Sequence, residues 1–149
     1  MAHRKSSNHI NRMPNILYIE DDEDLREAVI MALEDAGFTA TGAENGMIGL
    51  ESVRREQPDL VITDVLMPEC DGIELIQALA REFPDLPVIA VTGGFKNALG
   101  GVPDNRDEIA RAAIALGARK TITKPFRLRA LLDTMTDLLD GDGAARTAC

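Results

Sequence analysis

Five side chains suited to binding a metal ion or a phosphoryl group stand at the ends of short β-rich runs of the sequence. They are Glu20, Asp21, Asp64, Thr92 and Lys124. Two carboxylates about 5 Å apart repel each other by about 3 kcal/mol at an effective dielectric constant of about 20. A bound dication together with the lysine would offset that repulsion. The set therefore favours a metal-assisted reaction on a dianionic phosphoryl group, which needs positioning and charge neutralisation above all.

The metal ion that these residues predict is Mg²⁺. A few hard oxygen ligands with space left for water suit Mg²⁺ better than zinc, which prefers nitrogen and sulfur. The two cysteines, Cys70 and Cys149, belong to no CxxC motif or Cys/His cluster, so neither a zinc site nor a disulfide framework is expected. An aspartate nucleophile in such a site would form an acyl phosphate.

The elements that must position these residues alternate along the chain. The β-rich runs lie at Asn15–Glu20, Phe38–Thr41, Asp59–Thr63, Pro87–Val91 and Arg119–Thr123, and amphipathic helical patterns follow at about 23–36, 44–56, 71–83, 105–116 and 127–139. Strict alternation of this kind predicts an α/β fold with a doubly wound, five-stranded parallel sheet. Ligands of such sheets bind beyond the carboxyl ends of the strands, where the polar set stands.

Length and charge narrow the class of protein. The chain has 149 residues and a formal net charge of −9. This length fits one domain, predicted at residues 14–140, with disordered tails at 1–13 and 141–149. An acidic chain is a poor candidate for direct binding of nucleic acid or of anionic membranes. No apolar run is long enough for a membrane span and no secretory signal is present, so a cytoplasmic location is expected.

Four segments of the sequence resemble the motifs of response-regulator receiver domains of two-component systems. They read ILYIEDDEDLRE, DLVITDVLMPECDG, VTG and ITKPF, and the similarity covers about residues 15–139. The resemblance implies a flavodoxin-like (βα)5 fold with strand order 2-1-3-4-5. It also implies a stand-alone switch that accepts a phosphoryl group from a sensor histidine kinase or a histidine phosphotransfer protein. An unknown downstream protein would read the change at the surface near the fourth helix, the fifth strand and the fifth helix.

The resemblance assigns roles to the matching positions. Asp64 resembles the phosphoacceptor, and Glu20 and Asp21 resemble the acidic pair that holds Mg²⁺. The backbone carbonyl of Leu66 would complete the protein's share of the metal ligands. Thr92 resembles the hydroxyl that bonds a phosphoryl oxygen.

Lys124 resembles the lysine that pairs with the phosphate, and its bond to Pro125 would be cis. Purely structural interpretations also exist for three of these residues: Asp64 as a cap of the following helix, Thr92 as a strand terminator and Lys124 as a surface lysine. Residues 22–24 are interpreted as helix N-terminal acids rather than metal ligands, because negative charge is favoured there.

Three departures from the family pattern bear on switching. Thr121 stands where an aromatic switch residue is usual, so the ordinary switch is absent or lies elsewhere. The segment Gly93–Asp104 is longer than a typical receiver needs, and Gly93, Gly94 and Phe95 are predicted to begin a flap beside the site. Leu66 and Gly94 also replace polar residues that often position water, so the acyl phosphate is expected to hydrolyse slowly.

Two other functions share some of these features. An aspartyl-phosphate hydrolase also uses an aspartate on a parallel sheet, but it usually has a second acid two residues later, where this chain has Leu66. A phosphate-independent binding module would retain the site as a relic, which the complete polar set weighs against. A nucleotide-binding fold is disfavoured because acids follow the first strand in place of a glycine-rich loop.

Overall fold

The computed structural model describes residues 13–65, 71–93 and 106–148 and shows five strands alternating with five helices. The strands are β1 (Asn15–Ile19), β2 (Thr39–Ala43), β3 (Leu60–Asp64), β4 (Val88–Thr92) and β5 (Lys120–Thr123). The helices are α1 (Glu23–Asp35), α2 (Gly46–Glu56), α3 (Asp71–Glu82), α4 (Arg106–Leu116) and α5 (Leu128–Ala148). All neighbouring strands pair in parallel in the order β2-β1-β3-β4-β5, which confirms the predicted flavodoxin-like fold.

Two hydrophobic layers cover the sheet, one on each face. Side chains of a strand alternate between faces, so Leu17 and Val61 belong to one core and Tyr18 and Ile62 to the other. Helices α2, α3 and α4 contact one another in sequence over the first core, and α1 contacts α5 over the second. Every residue of β3 and of β4 is buried, as continuous apolar runs covered on both faces require.

The helix termini follow from local sequence. The side chain of Asp22 caps α1 by accepting a hydrogen bond from the backbone N–H of Leu25, which confirms its interpretation as a helix N-terminal acid. Asn45 caps α2 in the same way through the N–H of Ile48. Gly37 and Gly117 follow α1 and α4 with positive φ angles of 103° and 134°, a conformation that glycine adopts without steric cost.

The C-terminal helix is longer than predicted. The sequence pattern placed its end at residue 139 and a disordered tail at 141–149, but α5 continues to Ala148. Gly141 and Gly143 suggested a helix end; each costs only about 1 kcal/mol within a helix, whereas Ala144 and Ala145 favour one and no proline interrupts it. The helix end predicted at residue 139 is therefore too early, while the division of the chain into a domain and two tails stays a prediction.

Several predictions concern residues that lie outside the described ones. These are the tail at 1–12, Leu66, most of the extended segment including Gly94 and Phe95, and the last residue. Over the ranges that the structure describes, no helix has both the length and the apolar character that crossing a membrane demands.

Candidate functional site

The ends of β1, β3 and β5 bring two acids and a lysine into direct contact. The Nζ atom of Lys124 lies 2.9 Å from Oε1 of Glu20 and 2.9 Å from Oδ2 of Asp64. Both carboxylates are buried, with Glu20 1% and Asp64 3% exposed. Lys124 stands 60 positions after Asp64 and still farther from Glu20 in the sequence, and the three form one compact ionic cluster because parallel strands all end at the same edge.

Strand register explains why these side chains share one face of the sheet. Tyr18 of β1 pairs with Ile62 of β3, so the positions two residues later, Glu20 and Asp64, also point to that face. Asp64 pairs with Val91 of β4, and Val91 pairs with Ile122 of β5. Lys124, two residues after Ile122, follows on the same side. The face is the one covered by α1 and α5.

Asp21 completes a group of three acids at this edge. Glu20, Asp21 and Asp64 each offer one carboxylate oxygen such that all three atoms lie within 4.8 Å of one another. Asp21 is exposed and the other two are buried, which leaves an open side for water. Three hard oxygen donors with solvent access on one side fit the ligand preference of Mg²⁺. The fourth predicted contributor, Leu66, lies outside the described residues.

Burial and proximity set the electrostatics of the cluster. Burial raises the pKa of Glu20 above its ordinary value, and the negative charge of Asp64 adds to the rise, while the hydrogen bond from Lys124 opposes it. Burial alone would lower the pKa of Lys124, but the hydrogen bonds and charges of Asp64 and Glu20 outweigh burial and raise that pKa. The lysine is therefore a permanent cation that holds two carboxylates together.

Thr92 contributes a hydroxyl group from the end of β4. The residue is 0% exposed, and its Oγ1 atom is buried without a hydrogen-bond partner among the described residues. Its backbone carbonyl accepts a hydrogen bond of 2.8 Å from the N–H of Lys124. The following Lys124–Pro125 bond is cis, as predicted. A buried hydroxyl without a partner costs free energy unless a ligand or a rearrangement supplies one.

Two site residues were not predicted from the sequence. The hydroxyl of Tyr18 donates to Oε1 of Glu20 at 3.2 Å, and Nη1 of Arg26 donates to the backbone carbonyl of Glu20 at 2.7 Å. The alternation of strand side chains could have identified Tyr18, because it stands two residues before Glu20 on the same face. No sequence pattern marked Arg26, whose place depends on how α1 packs against β2.

Thr121, which stands at the usual position of the switch residue, lies on the opposite face of the sheet. Thr121 is half-buried on β5 and lines a surface pocket of about 440 Å³ together with Ala110, Arg111, Ile114 and Ala115 of α4. Ile114 is a large apolar residue of this lining and is 46% exposed. Gly93, directly after Thr92, has a positive φ angle of 83°. Its neighbours Gly94 and Phe95 are not among the described residues.

Comparison with known proteins gives concordant results. A family model for the response regulator receiver domain matches residues 16–136. The response regulator receiver protein CpdR of Brucella abortus is 38% identical, over 85% of this chain and 98% of that protein. The transcriptional regulatory protein CseB of Streptomyces coelicolor is 34% identical, over 89% of this chain but only 57% of its own length. A CheY-like receiver domain protein from Methanospirillum hungatei has a crystal structure that superposes with a TM-score of 0.77 at 25% identity, covering 89% of this chain and 98% of that chain.

Proposed function

Because the chain belongs to the response regulator receiver family, we propose that it is a phosphorylation switch in which Asp64 accepts the phosphoryl group. The observation that carries this proposal is the contact of Lys124 with both Glu20 and Asp64 at 2.9 Å. An ammonium group held against the acceptor carboxylate lowers the electrostatic barrier to a dianionic phosphoryl group. The donor is a sensor histidine kinase or a histidine phosphotransfer protein.

The proposed reaction exchanges one bond at phosphorus for another. A carboxylate oxygen of Asp64 forms a P–O bond while the P–N bond to the donor histidine breaks, and the histidine nitrogen keeps the electron pair. The product is an acyl phosphate on Asp64 and a free imidazole on the donor. Bound Mg²⁺, held by Glu20, Asp21 and Asp64, would supply positive charge to the transferring oxygens.

The surrounding residues of the chain then stabilise the product. Lys124 can pair with a phosphoryl oxygen while remaining close to its present partners, since its Nζ already lies 2.9 Å from Oδ2 of Asp64. The Thr92 hydroxyl, which has no partner among the described residues, gains an acceptor when it donates to the phosphoryl group. Both changes favour a local rearrangement of β4 and β5 on phosphorylation.

We further propose that the output is a protein–protein contact rather than turnover of a substrate. The pocket between α4 and β5 lies at the far side of the two strands that carry Thr92 and Lys124, so movement of these strands alters it. A downstream protein would read that change. The net charge of −9 disfavours direct binding of nucleic acid, and a cytoplasmic location agrees with a kinase as the donor.

The direct experiment is incubation with Mg²⁺ and a small acyl phosphate, followed by intact mass spectrometry. The wild type is expected to gain one phosphoryl group, and Asp64→Asn is expected to gain none. Chelation of the metal ion should suppress the reaction of the wild type. Equal labelling of the wild type and Asp64→Asn, or no labelling of either, would contradict the proposal.

A further inference from the structure

Tyr18 is a buried polar residue to which the proposed phosphorylation assigns no task. Its side chain is 0% exposed and lies in the core beneath α1 and α5, where the large neighbours Leu131 and Met135 are also fully buried. A tyrosine hydroxyl in such a place needs a partner. Here the partner is Oε1 of Glu20, at 3.2 Å.

Glu20 is held at both oxygens of its carboxylate. Oε1 accepts from the Tyr18 hydroxyl and from Nζ of Lys124, at 3.2 Å and 2.9 Å. Oε2 accepts from the backbone N–H of Asp22 at 3.2 Å. Arg26 fixes the backbone at the same point by donating to the Glu20 carbonyl at 2.7 Å. A carboxylate with three donors in different directions has little freedom to rotate.

The two hydrogen bonds to Oε1 differ in how phosphorylation of Asp64 would affect them. Lys124 is shared with Asp64 and is the cation that a phosphoryl group on Asp64 would attract. Tyr18 belongs to a strand buried between two layers, and its hydroxyl has no other hydrogen bond within the described part of the chain. The Tyr18 bond is thus the one that stays when Lys124 turns to the phosphoryl group.

We propose that Tyr18 is a positioning residue that keeps the Glu20 carboxylate oriented for the divalent cation while Lys124 changes partner. This inference rests on the proposed function. Tyr18 lies behind Glu20 on the same face of β1 and acts through Glu20 alone. Removing its hydroxyl therefore weakens the affinity for Mg²⁺ and leaves the chemistry at Asp64 intact.

The test is the Mg²⁺ affinity of Tyr18→Phe, which retains the ring and loses only the hydroxyl. By titration calorimetry with Mg²⁺ alone, we expect the dissociation constant to rise about three- to tenfold, the effect of losing one typical intramolecular hydrogen bond. The Mg²⁺ concentration that half-saturates phosphorylation by a small acyl phosphate should rise by the same factor. The maximal rate at saturating Mg²⁺ should stay within about twofold, because an interaction lost equally from the ground state and the transition state leaves that rate unchanged.

Two comparisons separate positioning from a general loss of stability. Ile16→Val truncates another fully buried residue on the same face of β1, distant from the acids, and is expected to leave the Mg²⁺ affinity unchanged. In a Glu20→Gln background, Tyr18→Phe should cause no further loss, since its effect passes through the Glu20 carboxylate. If Tyr18→Phe does not fold, Tyr18→Leu removes the same hydroxyl and serves the same test.

The inference is overturned if Tyr18→Phe binds Mg²⁺ as tightly as the wild type, or if Ile16→Val weakens binding equally. An undiminished effect of Tyr18→Phe in the Glu20→Gln background would also overturn it. These outcomes are independent of the proposed function, whose failure would show as a wild type that gains no phosphoryl group on Asp64.

Discussion

Lys124 is the residue on which the balance of charge at the site depends. It forms ion pairs with two carboxylates whose side chains are only 2% and 4% exposed, while its own side chain is 15% exposed. Removing one partner of a buried ionic cluster leaves uncompensated charge in a medium of low dielectric constant. We expect Lys124→Met to lower the free energy of unfolding by about 3–5 kcal/mol in the absence of metal.

Urea unfolding measures this loss, and Arg54→Met is the matched control. Arg54 also binds a carboxylate, that of Glu82 at 2.9 Å, but the two side chains are 51% and 41% exposed. An exposed pair contributes at most about 1 kcal/mol. If Lys124→Met lowers the free energy of unfolding by no more than Arg54→Met does, the buried ionic cluster does not have the predicted effect on stability.

Glu20 makes the stability of the metal-free protein depend on pH. Its pKa in the folded protein is raised above the ordinary 4.5, so at intermediate pH the folded chain retains a proton that the unfolded chain has released. This contribution to stability is complete when the pH is below the ordinary pKa of glutamate. It is lost as the pH rises through the raised pKa of the folded state. Unfolding in the presence of a chelator should show a smaller fall in stability with rising pH for Glu20→Gln than for the wild type, and identical pH profiles would count against the raised pKa.

At the scale of elements, Gly72 near the start of α3 permits the close approach of this helix to the end of β3. A Cβ atom at this position would collide with the backbone oxygen of Asp64 and would lie 2.6 Å from Cα of Val65. Backbone atoms cannot move aside as the end of a side chain can. Gly72→Ala is therefore expected to cost about 1–3 kcal/mol of stability and to displace Asp64.

Gly49 in α2 is the control for Gly72, because both glycines lie in helices that pack closely against the sheet. The Cβ atom at Gly49 would meet Cδ1 of Ile19 at 2.5 Å, the end of a flexible side chain. Thermal unfolding should show a smaller loss for Gly49→Ala, and only Gly72→Ala should slow phosphorylation. The reverse order would show that backbone proximity to Asp64 is not the cause.

The elements themselves were largely predictable from the sequence. All five strands were found to within two residues at each end, because buried parallel strands form short apolar runs between helical patterns. The end of α5 was missed because two glycines suggested a stop that the neighbouring alanines override. The pocket that Thr121 lines could not be predicted from the sequence, because it arises from the packing of α4 against β5 and not from one residue type.

At the scale of the whole molecule, an excess of acids makes the protein responsive to cations. The formal net charge is −9, and three of the acids converge on one edge of the sheet. A ligand that binds only the folded state adds about 2.7 kcal/mol of stability at one hundred times its dissociation constant. Mg²⁺ at that excess should raise the melting temperature of the wild type, whereas NaCl of equal ionic strength should raise it much less. An equal rise with NaCl would indicate screening of the net charge instead of a specific site.

The gathering of Glu20, Asp64 and Lys124 could be predicted because topology alone sends the ends of parallel strands to one edge. The support of that cluster could not be predicted to the same degree. Tyr18 and Arg26 act through hydrogen bonds whose lengths depend on the packing of β1 and α1, at 3.2 Å and 2.7 Å. The polar residues at the strand ends can thus be predicted from the sequence pattern, whereas the residues that support them depend on packing.

In the proposed function, Asp64 and no other acid of the cluster carries the phosphoryl group. Reduction of the phosphorylated protein with borohydride converts an aspartyl phosphate to homoserine, which peptide mass spectrometry locates within the sequence. We predict homoserine at position 64 alone, and only after reaction in the presence of Mg²⁺. Homoserine at position 21, or a phosphorylated protein with an unmodified Asp64, would show that Asp64 is not the phosphoacceptor.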